Sequence, residues 1–302
     1  MSISRHFVLA AGGTGGHMIP AHAVAQELMA RGHHVALVTD ERGAKIPGIF
    51  ESAQVHVMPA GRMTRNPASW PGAVKAILAG RAMARRLNET FRPTAVVGFG
   101  GYPTLPALLA ARSAKIPSVI HEQNAVLGRA NRLLASRVDC IATAFEKSEG
   151  LPAHAATRAR HTGMPVRPTF TAVQDVPYPA ITSDGKISLL VIGGSQGAHV
   201  FSAVGPKALG LMDEGLKARL KVSQQCRSED LEQTRSHYQP LGIDAELQTF
   251  FDDIPKRLSA AHLLIGRSGA STVAETLIAG RPAILVPYPH AIDDHQTRNA
   301  HA

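Results

Sequence analysis

Gly12-Gly13-Thr14-Gly15-Gly16-His17 follows the apolar run Phe7-Val8-Leu9-Ala10-Ala11 and precedes residues 19–30, whose apolar positions have helical spacing. Strand, tight turn and helix N-terminus in that order constrain the fold more than any other feature of the chain. The same order returns where Ile187-Ser188-Leu189-Leu190-Val191-Ile192 runs into Gly193-Gly194-Ser195-Gln196-Gly197. Two such units, far apart, imply two similar α/β domains. Glycine lets backbone approach a bound group closely, and free N–H groups at a helix start attract anions. A phosphate-bearing ligand is the first expectation.

Strand candidates alternate with helical stretches on both sides of the second turn. In the first half strands are expected at 34–39, 54–58, 95–98, 118–120 and 140–142, and helices at 21–30, 73–88, 104–114 and 128–136. Alternation of this kind builds a doubly wound parallel sheet covered on both faces. It breaks at Gly163-Met164-Pro165-Val166-Arg167-Pro168 and at the proline-rich Val176-Pro177-Tyr178-Pro179. It resumes with strands at 187–192, 217–223, 246–250, 263–266 and 283–286, and helices at 198–214, 228–239 and 271–279. Two Rossmann-like domains are expected, over residues 1–163 and 164–302. Residues 296–302 read as the opening of a helix where a doubly wound domain normally has more to come, so a truncated C-terminus is expected.

Composition narrows the function classes. No apolar run approaches the roughly 18 residues that a membrane-spanning helix needs. Met1-Ser2-Ile3-Ser4-Arg5-His6 is basic but flows straight into the first strand without a cleavage-type sequence, which reads as a mature start. Cys140 and Cys226 lack metal-ligand spacing and fit a reducing compartment. Lys and Arg number 32 against 23 Asp and Glu, a formal charge of +9, which favours a phosphorylated or otherwise acidic partner. Aromatic residues make up only 5%, and no helix-turn-helix or base-stacking motif accompanies the charge, so nucleic acid is not an expected partner.

The first turn has two readings from its own residues beside phosphate binding. Asp40 stands where a ribose-binding acid belongs in a dinucleotide fold, but counting from Gly13 the third glycine of G-x-G-x-x-G is Met18. A turn required only for packing is the other reading. His17, at the helix start, is a candidate base toward a bound hydroxyl. A further turn, Gly98-Phe99-Gly100-Gly101-Tyr102-Pro103-Thr104, ends one strand, and His121-Glu122-Gln123-Asn124 ends another, where polar side chains usually face a ligand crevice. In the second half Arg267-Ser268-Gly269-Ala270-Ser271-Thr272-Val273-Ala274-Glu275 places hydroxyls at a helix start, which suits a cap. Glu275, one turn in, suits the helix dipole or a ribose diol. His290, Asp293, Asp294 and His295 match no standard ligand spacing, and no metal is expected.

Gly12 through His17, Gly98 through Thr104, His121 through Asn124, Gly163 through Arg167, Gly193 through Ala198, Arg267 through Glu275 and Asp294 through Ala300 together resemble one family. It is that of the UDP-N-acetylglucosamine:lipid I glycosyltransferases of peptidoglycan synthesis (MurG), and the likeness runs along the whole chain. The resemblance implies the GT-B architecture, with two Rossmann-like domains facing across a cleft. The N-terminal one would take the acceptor and the membrane, the C-terminal one the UDP-sugar. The resemblance also implies an inverting transfer, without metal or cofactor, from UDP-N-acetylglucosamine to the 4-hydroxyl of the muramyl sugar of lipid I, giving lipid II. Such enzymes lie peripherally on the cytoplasmic face of the bacterial inner membrane.

Donor contacts carry over residue by residue from that resemblance. They are Thr14, Gly15 and Gly16 in the first turn, Asn124 at the sugar, and Arg167 and Ser195 at the diphosphate. Ala270, Ser271, Thr272, Val273, Ala274 and Glu275 would hold the nucleoside, with Glu275 on the ribose, and Gln296 would lie near sugar and ribose. Phe251 falls where the family often has an aliphatic residue that meets uracil through its backbone. Met164 replaces a frequent asparagine, and the family's chain continues beyond Asn299-Ala300. His17 is the candidate catalytic base.

Trp70, Val74, Ile77 and Leu78 accompany Lys75, Arg81, Arg85 and Arg86. An apolar face beside a basic one suits an anionic membrane surface, and equally an amphipathic helix lying on a core. Three other functions stay open: a sugar-nucleotide 2-epimerase of the same architecture, an NAD-dependent oxidoreductase, and a donor-binding module that does not complete transfer.

Overall fold

The computed structural model describes residues 3–13, 15–46, 48, 50, 53–59, 61, 67–194 and 197–302. The chain divides into two compact units, Met1–Arg167 and Pro168–His301. In the first, strands β1 (His6–Ala10), β2 (His34–Thr39), β3 (Gln54–Val57), β4 (Ala95–Gly98), β5 (Ser118–Glu122), β6 (Cys140–Thr143) and β7 (Ala159–His161) form one parallel sheet in the order β3-β2-β1-β4-β5-β6-β7. Helices α1 (Gly15–Ala30), α2 (Trp70–Phe91), α3 (Thr104–Ser113) and α4 (Arg129–Leu134) connect them.

Strand residues alternate between two cores, one on each face of this sheet. Val8, Ala10, Ala36, Val38 and Val96 pack with Leu108, Ile120 and Ile141 on one face. Leu9, Ala11, Val35 and Leu37 pack with Met18, Ala21 and Ala25 of α1 on the other. This is why β1 and β2 read as unbroken apolar runs rather than alternating ones.

The second unit opens with the short helix α5 (Pro168–Thr171). Its strands β8 (Ile187–Ile192), β9 (Leu220–Gln225), β10 (Asp244–Gln248), β11 (Leu263–Gly266) and β12 (Ala283–Leu285) lie parallel in the order β10-β9-β8-β11-β12. Helices α6 (His199–Gly210), α7 (Glu214–Lys217), α8 (Leu231–Tyr238), α9 (Ile254–Ala260), α10 (Ala270–Ile278) and α11 (His295–His301) complete it. The proline-rich stretch is tied down by Arg281, which donates to the carbonyls of Val176 at 3.1 Å and Pro177 at 2.9 Å.

Both sheets reverse their strand order at the strand that carries the glycine turn. β1 lies between β2 and β4, and its Ala10 is in register with Val38 and Gly98. β8 lies between β9 and β11, with Ile192 in register with Gly266. In open α/β sheets the crevice at such a reversal, outside the carboxyl ends of the strands, is where ligands bind.

Some elements differ from the sequence expectation. The helix expected over 198–214 splits, because Asp213 starts a new one by accepting from the amides of Gly215 at 2.8 Å and Leu216 at 3.3 Å. Lys217 is therefore helical, and the next strand begins at Leu220. β10 lies at Asp244–Gln248, ahead of the expected 246–250. β7 and α9 were not expected at all. Arg160 and His161 are exposed at the sheet edge and show no apolar signal. α9 has 7 residues, too few for a period, although Pro255 marks its first turn.

Candidate active site

At the carboxyl edge of the first sheet the turns after β1 and β4 interlock. The Gly12 amide donates to the Gly100 carbonyl at 3.2 Å, and the Phe99 amide to the Ala10 carbonyl at 2.8 Å. Thr104 Oγ1 accepts from the Gly100 amide at 3.1 Å and donates to the Ala10 carbonyl at 3.0 Å. A Cβ on Gly12 would stand 2.5 Å from Pro103 Cδ, one on Gly101 2.7 Å from the Gly12 oxygen, and one on Gly100 2.8 Å from His17 Cε1. These glycines allow the two turns and the His17 ring to touch.

Asp40 anchors the first turn from below. Its Oδ1 accepts from the Gly13 amide at 3.0 Å and the Gly43 amide at 2.8 Å, and its Oδ2 pairs with Arg42 at 3.3 Å. The carboxylate considered for a ribose is thus engaged with the first turn and with its own loop.

His17 lies in the first turn of α1, half-buried. Its Nδ1 is 3.1 Å from Gln123 Oε1, directly after β5. Gln123 Nε2 stands 3.1 Å from His121 Nδ1 and donates to the His121 carbonyl at 2.9 Å. His121 Nε2 donates to the Gly163 carbonyl at 3.0 Å. Burial holds the His121 imidazole below the ordinary histidine range, outweighing the opposing pull of the Gly163 carbonyl and the Glu122 charge. Phe99 lies beside it, ring centroids 5.7 Å apart.

Glu122 is 1% exposed and organises the loop that carries Asn124. Its Oε1 accepts from the Asn124 amide at 3.0 Å and Asn124 Nδ2 at 3.2 Å. Its Oε2 accepts from the Gly128 amide and Asn131 Nδ2, both at 2.8 Å. A buried carboxylate with four donors fixes backbone and side chain together.

In the second unit α10 starts at the reversal point. Ala270, Ser271, Thr272, Val273, Ala274 and Glu275 occupy its first turns, and Glu275 is 8% exposed. Arg267 reaches back under β12, donating to the carbonyls of Val286 at 3.1 Å and Pro287 at 2.8 Å; burial lowers its pKa. Gln296 Oε1 accepts from the Tyr288 amide at 2.9 Å, and Asn299 Nδ2 donates to the Ser268 carbonyl at 3.1 Å, so α11 bears on the β11–α10 turn. Phe251 is 3% exposed with the Arg257 guanidinium 4.1 Å from its ring centre. Its side chain is packed inward, which leaves its backbone as the part that can meet a ligand. Arg257 also grips both oxygens of Glu246, at 2.6 and 2.9 Å, and holds that carboxylate below its ordinary range.

Of the expected site residues, Thr14 and Ser195 lie outside the described residues. Gly15, Gly16 and His17 come together at the start of α1 with Gln123 beside them. Asn124 sits in the adjoining loop, and Arg167 ends the first unit. Sequence reading marked Gln123, just after β5, as crevice-facing but gave it no role; only the strand order brings it to His17. Among the described residues no group of three or more His, Cys, Asp or Glu side chains is arranged to hold a metal ion.

The Glycosyltransferase family 28 N-terminal domain model matches residues 7–143, and the Glycosyltransferase family 28 C-terminal domain model residues 188–302. The chain is 56% identical over 300 residues to a protein of Zymomonas mobilis subsp. mobilis, covering 99% of this chain and 78% of the relative. It is 57% identical over 298 residues to one of Novosphingobium aromaticivorans, covering 99% and 77%. Both relatives are named UDP-N-acetylglucosamine--N-acetylmuramyl-(pentapeptide) pyrophosphoryl-undecaprenol N-acetylglucosamine transferase. The crystal structure of Acinetobacter baumannii MurG superposes with a TM-score of 0.74 at 32% identity, covering 98% of this chain and 82% of that one.

Proposed function

The chain belongs to the MurG transferases of glycosyltransferase family 28, and on that premise we propose how its residues carry the reaction. It is an N-acetylglucosaminyltransferase of GT-B fold, moving N-acetylglucosamine from its UDP donor to the muramyl sugar of lipid I. The acceptor 4-hydroxyl oxygen bonds to the anomeric carbon as the bond from that carbon to the diphosphate breaks, with inversion, and UDP leaves with the electron pair. His17 Nε2 takes the hydroxyl proton. Arg167, Ser195 and the helix starts after the glycine turns receive the charge that develops on the diphosphate, where fixed donors act most strongly. Glu275 accepts from the ribose hydroxyls, and Asn124, held by Glu122, meets the sugar. No metal is assigned a role.

The observation that carries this reading is His17 at the strand-order reversal of the first sheet, held by a buried polar chain. The test is turnover of UDP-N-acetylglucosamine with a lipid I analogue. Expected is one UDP released for each lipid II formed. Sugar epimerisation without transfer, or donor binding without turnover, would overturn it.

We also propose that α2 meets an anionic membrane surface. Trp70, Val74 and Leu78, at i, i+4 and i+8, are 46%, 47% and 57% exposed, while Ala73, Gly80, Ala84 and Leu87 face the core. Lys75, Arg85 and Arg86 are exposed along the same helix. That division supports lipid contact over core packing for the apolar stripe. Among the described residues no helix is long and apolar enough to cross a membrane. Trp70→Ser with Leu78→Ser should weaken co-sedimentation with phosphatidylglycerol vesicles and leave turnover of a soluble acceptor intact. Unchanged sedimentation would remove α2 from this role.

A further inference from the structure

The hydrogen-bond order of the chain behind His17 is settled from its far end. The Gly163 carbonyl only accepts, so His121 Nε2, 3.0 Å away, carries a hydrogen. Burial lowers the His121 pKa and so favours the neutral ring, whose Nδ1 is then a bare acceptor. The Gln123 amide presents one end to that Nδ1 at 3.1 Å and to the His121 carbonyl at 2.9 Å. Two acceptors there identify that end as the NH₂. The amide oxygen then faces His17 Nδ1 at 3.1 Å, and an amide oxygen also only accepts.

We propose that His121 and Gln123 are positioning residues that fix the tautomer of His17, with the hydrogen on Nδ1 and the lone pair on Nε2. The proposal rests on the reading of His17 as the base. A histidine side chain in water prefers the opposite tautomer, with its hydrogen on Nε2, which would offer the acceptor hydroxyl an N–H and no lone pair. Which nitrogen is protonated is set by the bond the other one makes. Gln123 is 2% exposed and His121 4%, so the amide is held away from bulk water and keeps its orientation. Gly100 also lies close against the ring: a Cβ there would stand 2.8 Å from His17 Cε1 and 2.9 Å from Nδ1. When the hydroxyl proton arrives on Nε2, the Nδ1 hydrogen stays where it is and Gln123 Oε1 supports the imidazolium formed.

The test is a long-range ¹H–¹⁵N correlation spectrum of the chain labelled with ¹⁵N-histidine, at a pH where His17 is neutral. His17→Gln identifies the His17 signals among the 15 histidines. Expected in the wild type is a protonated Nδ1 and a bare Nε2. Gln123→Met, which keeps the side chain's length without its oxygen, should shift His17 toward the Nε2–H tautomer. It should also lower kcat on the order of 10–100-fold, the size of losing an orienting partner, with donor affinity retained. A wild-type His17 protonated on Nε2 overturns the proposal without any variant. An unchanged tautomer in folded Gln123→Met overturns the part given to Gln123. The spectrum is independent of turnover, so full activity in His17→Ala would remove the base while the tautomer assignment stood.

Discussion

The glycine turn after β1 and the glycine turn after β8 occupy equivalent places in their sheets but have different surroundings. Around the first, Asp40 holds the loop through the Gly13 and Gly43 amides, the half-buried His17 meets the buried Gln123 and through it the buried His121, and Glu122 fixes the neighbouring loop through Asn124 and Asn131. Beside the second, His199 at the start of α6 pairs with the buried Asp230 at 2.7 Å, while near the β11–α10 turn the polar side chains are engaged with backbone. Arg267 holds the Val286 and Pro287 carbonyls, and Gln296 holds the Tyr288 amide. In the proposed function, what the second unit offers the donor is the start of α10 and the Glu275 carboxylate. Linked imidazoles can gain and lose a proton; backbone amides and a helix terminus hold an anion without titrating. In the function proposed above, the same architecture, used twice, would separate proton transfer at His17 from nucleotide holding at the start of α10.

His17→Ala should give the largest effect and the sharpest test of that separation. Expected is a loss in kcat of roughly 10²–10⁴-fold, the range for a general base, with UDP affinity little changed. Weakened UDP binding, or a pH profile that keeps its acidic limb, would mean that the first turn holds donor phosphate instead. Arg167→Ala should lower kcat by about 10²–10³-fold, as for a lost donor to developing charge. Lys at that position should recover only part, because it lacks the planar fork. Since Arg167 closes the first unit, full activity in the alanine variant would confine phosphate stabilisation to the second. Glu275→Ala should behave in the reverse sense to His17→Ala: UDP binding weakens by about 1–3 kcal/mol, typical of a hydrogen bond to a charged group, and calorimetry reads it directly. Unchanged affinity would break the comparison on its nucleotide side.

The smallest effect concerns the support of the loop around Phe251. The Glu246 and Arg257 side chains are 38% and 20% exposed, so the pair is worth at most about 1 kcal/mol. Arg257 holds the Glu246 carboxylate low, so this contribution is present above the unfolded value of about 4.3 and is lost as pH falls through the lower folded-state value. Urea unfolding of wild type and Glu246→Gln should therefore differ near neutral pH and converge in acid. A gap that persists in acid would assign the loss to packing.

The sheets were legible chiefly because β1, β4, β8 and β11 are largely apolar and end in, or run within two residues into, glycine. The run through β1 and the run through β8 each carry strand, turn and helix start in one contiguous stretch. The His17–Gln123 contact was not legible, since it joins positions 106 residues apart and depends on β5 lying beside β4 and β4 beside β1. The role of Asp40, weighed only for a dinucleotide fold that the glycine spacing opposed, was not legible either: its partners are the amides of two loops, and amides leave no trace in residue type. Phe251 could be placed by family likeness, but its cover by Arg257 follows from how β10 and α9 meet.

The interlocked turns also have a genetic consequence. Every single-nucleotide change that alters a glycine codon without ending the chain specifies a residue with a Cβ. At Gly12, Gly100 and Gly101 that atom would fall 2.5–2.8 Å from Pro103, His17 and the Gly12 carbonyl respectively. Missense alleles at these codons all disturb the one interlocked pair of turns, although the codons belong to two segments well separated in the gene. Second-site revertants of a Gly100 allele are accordingly expected in the codons around His17 rather than beside the original lesion.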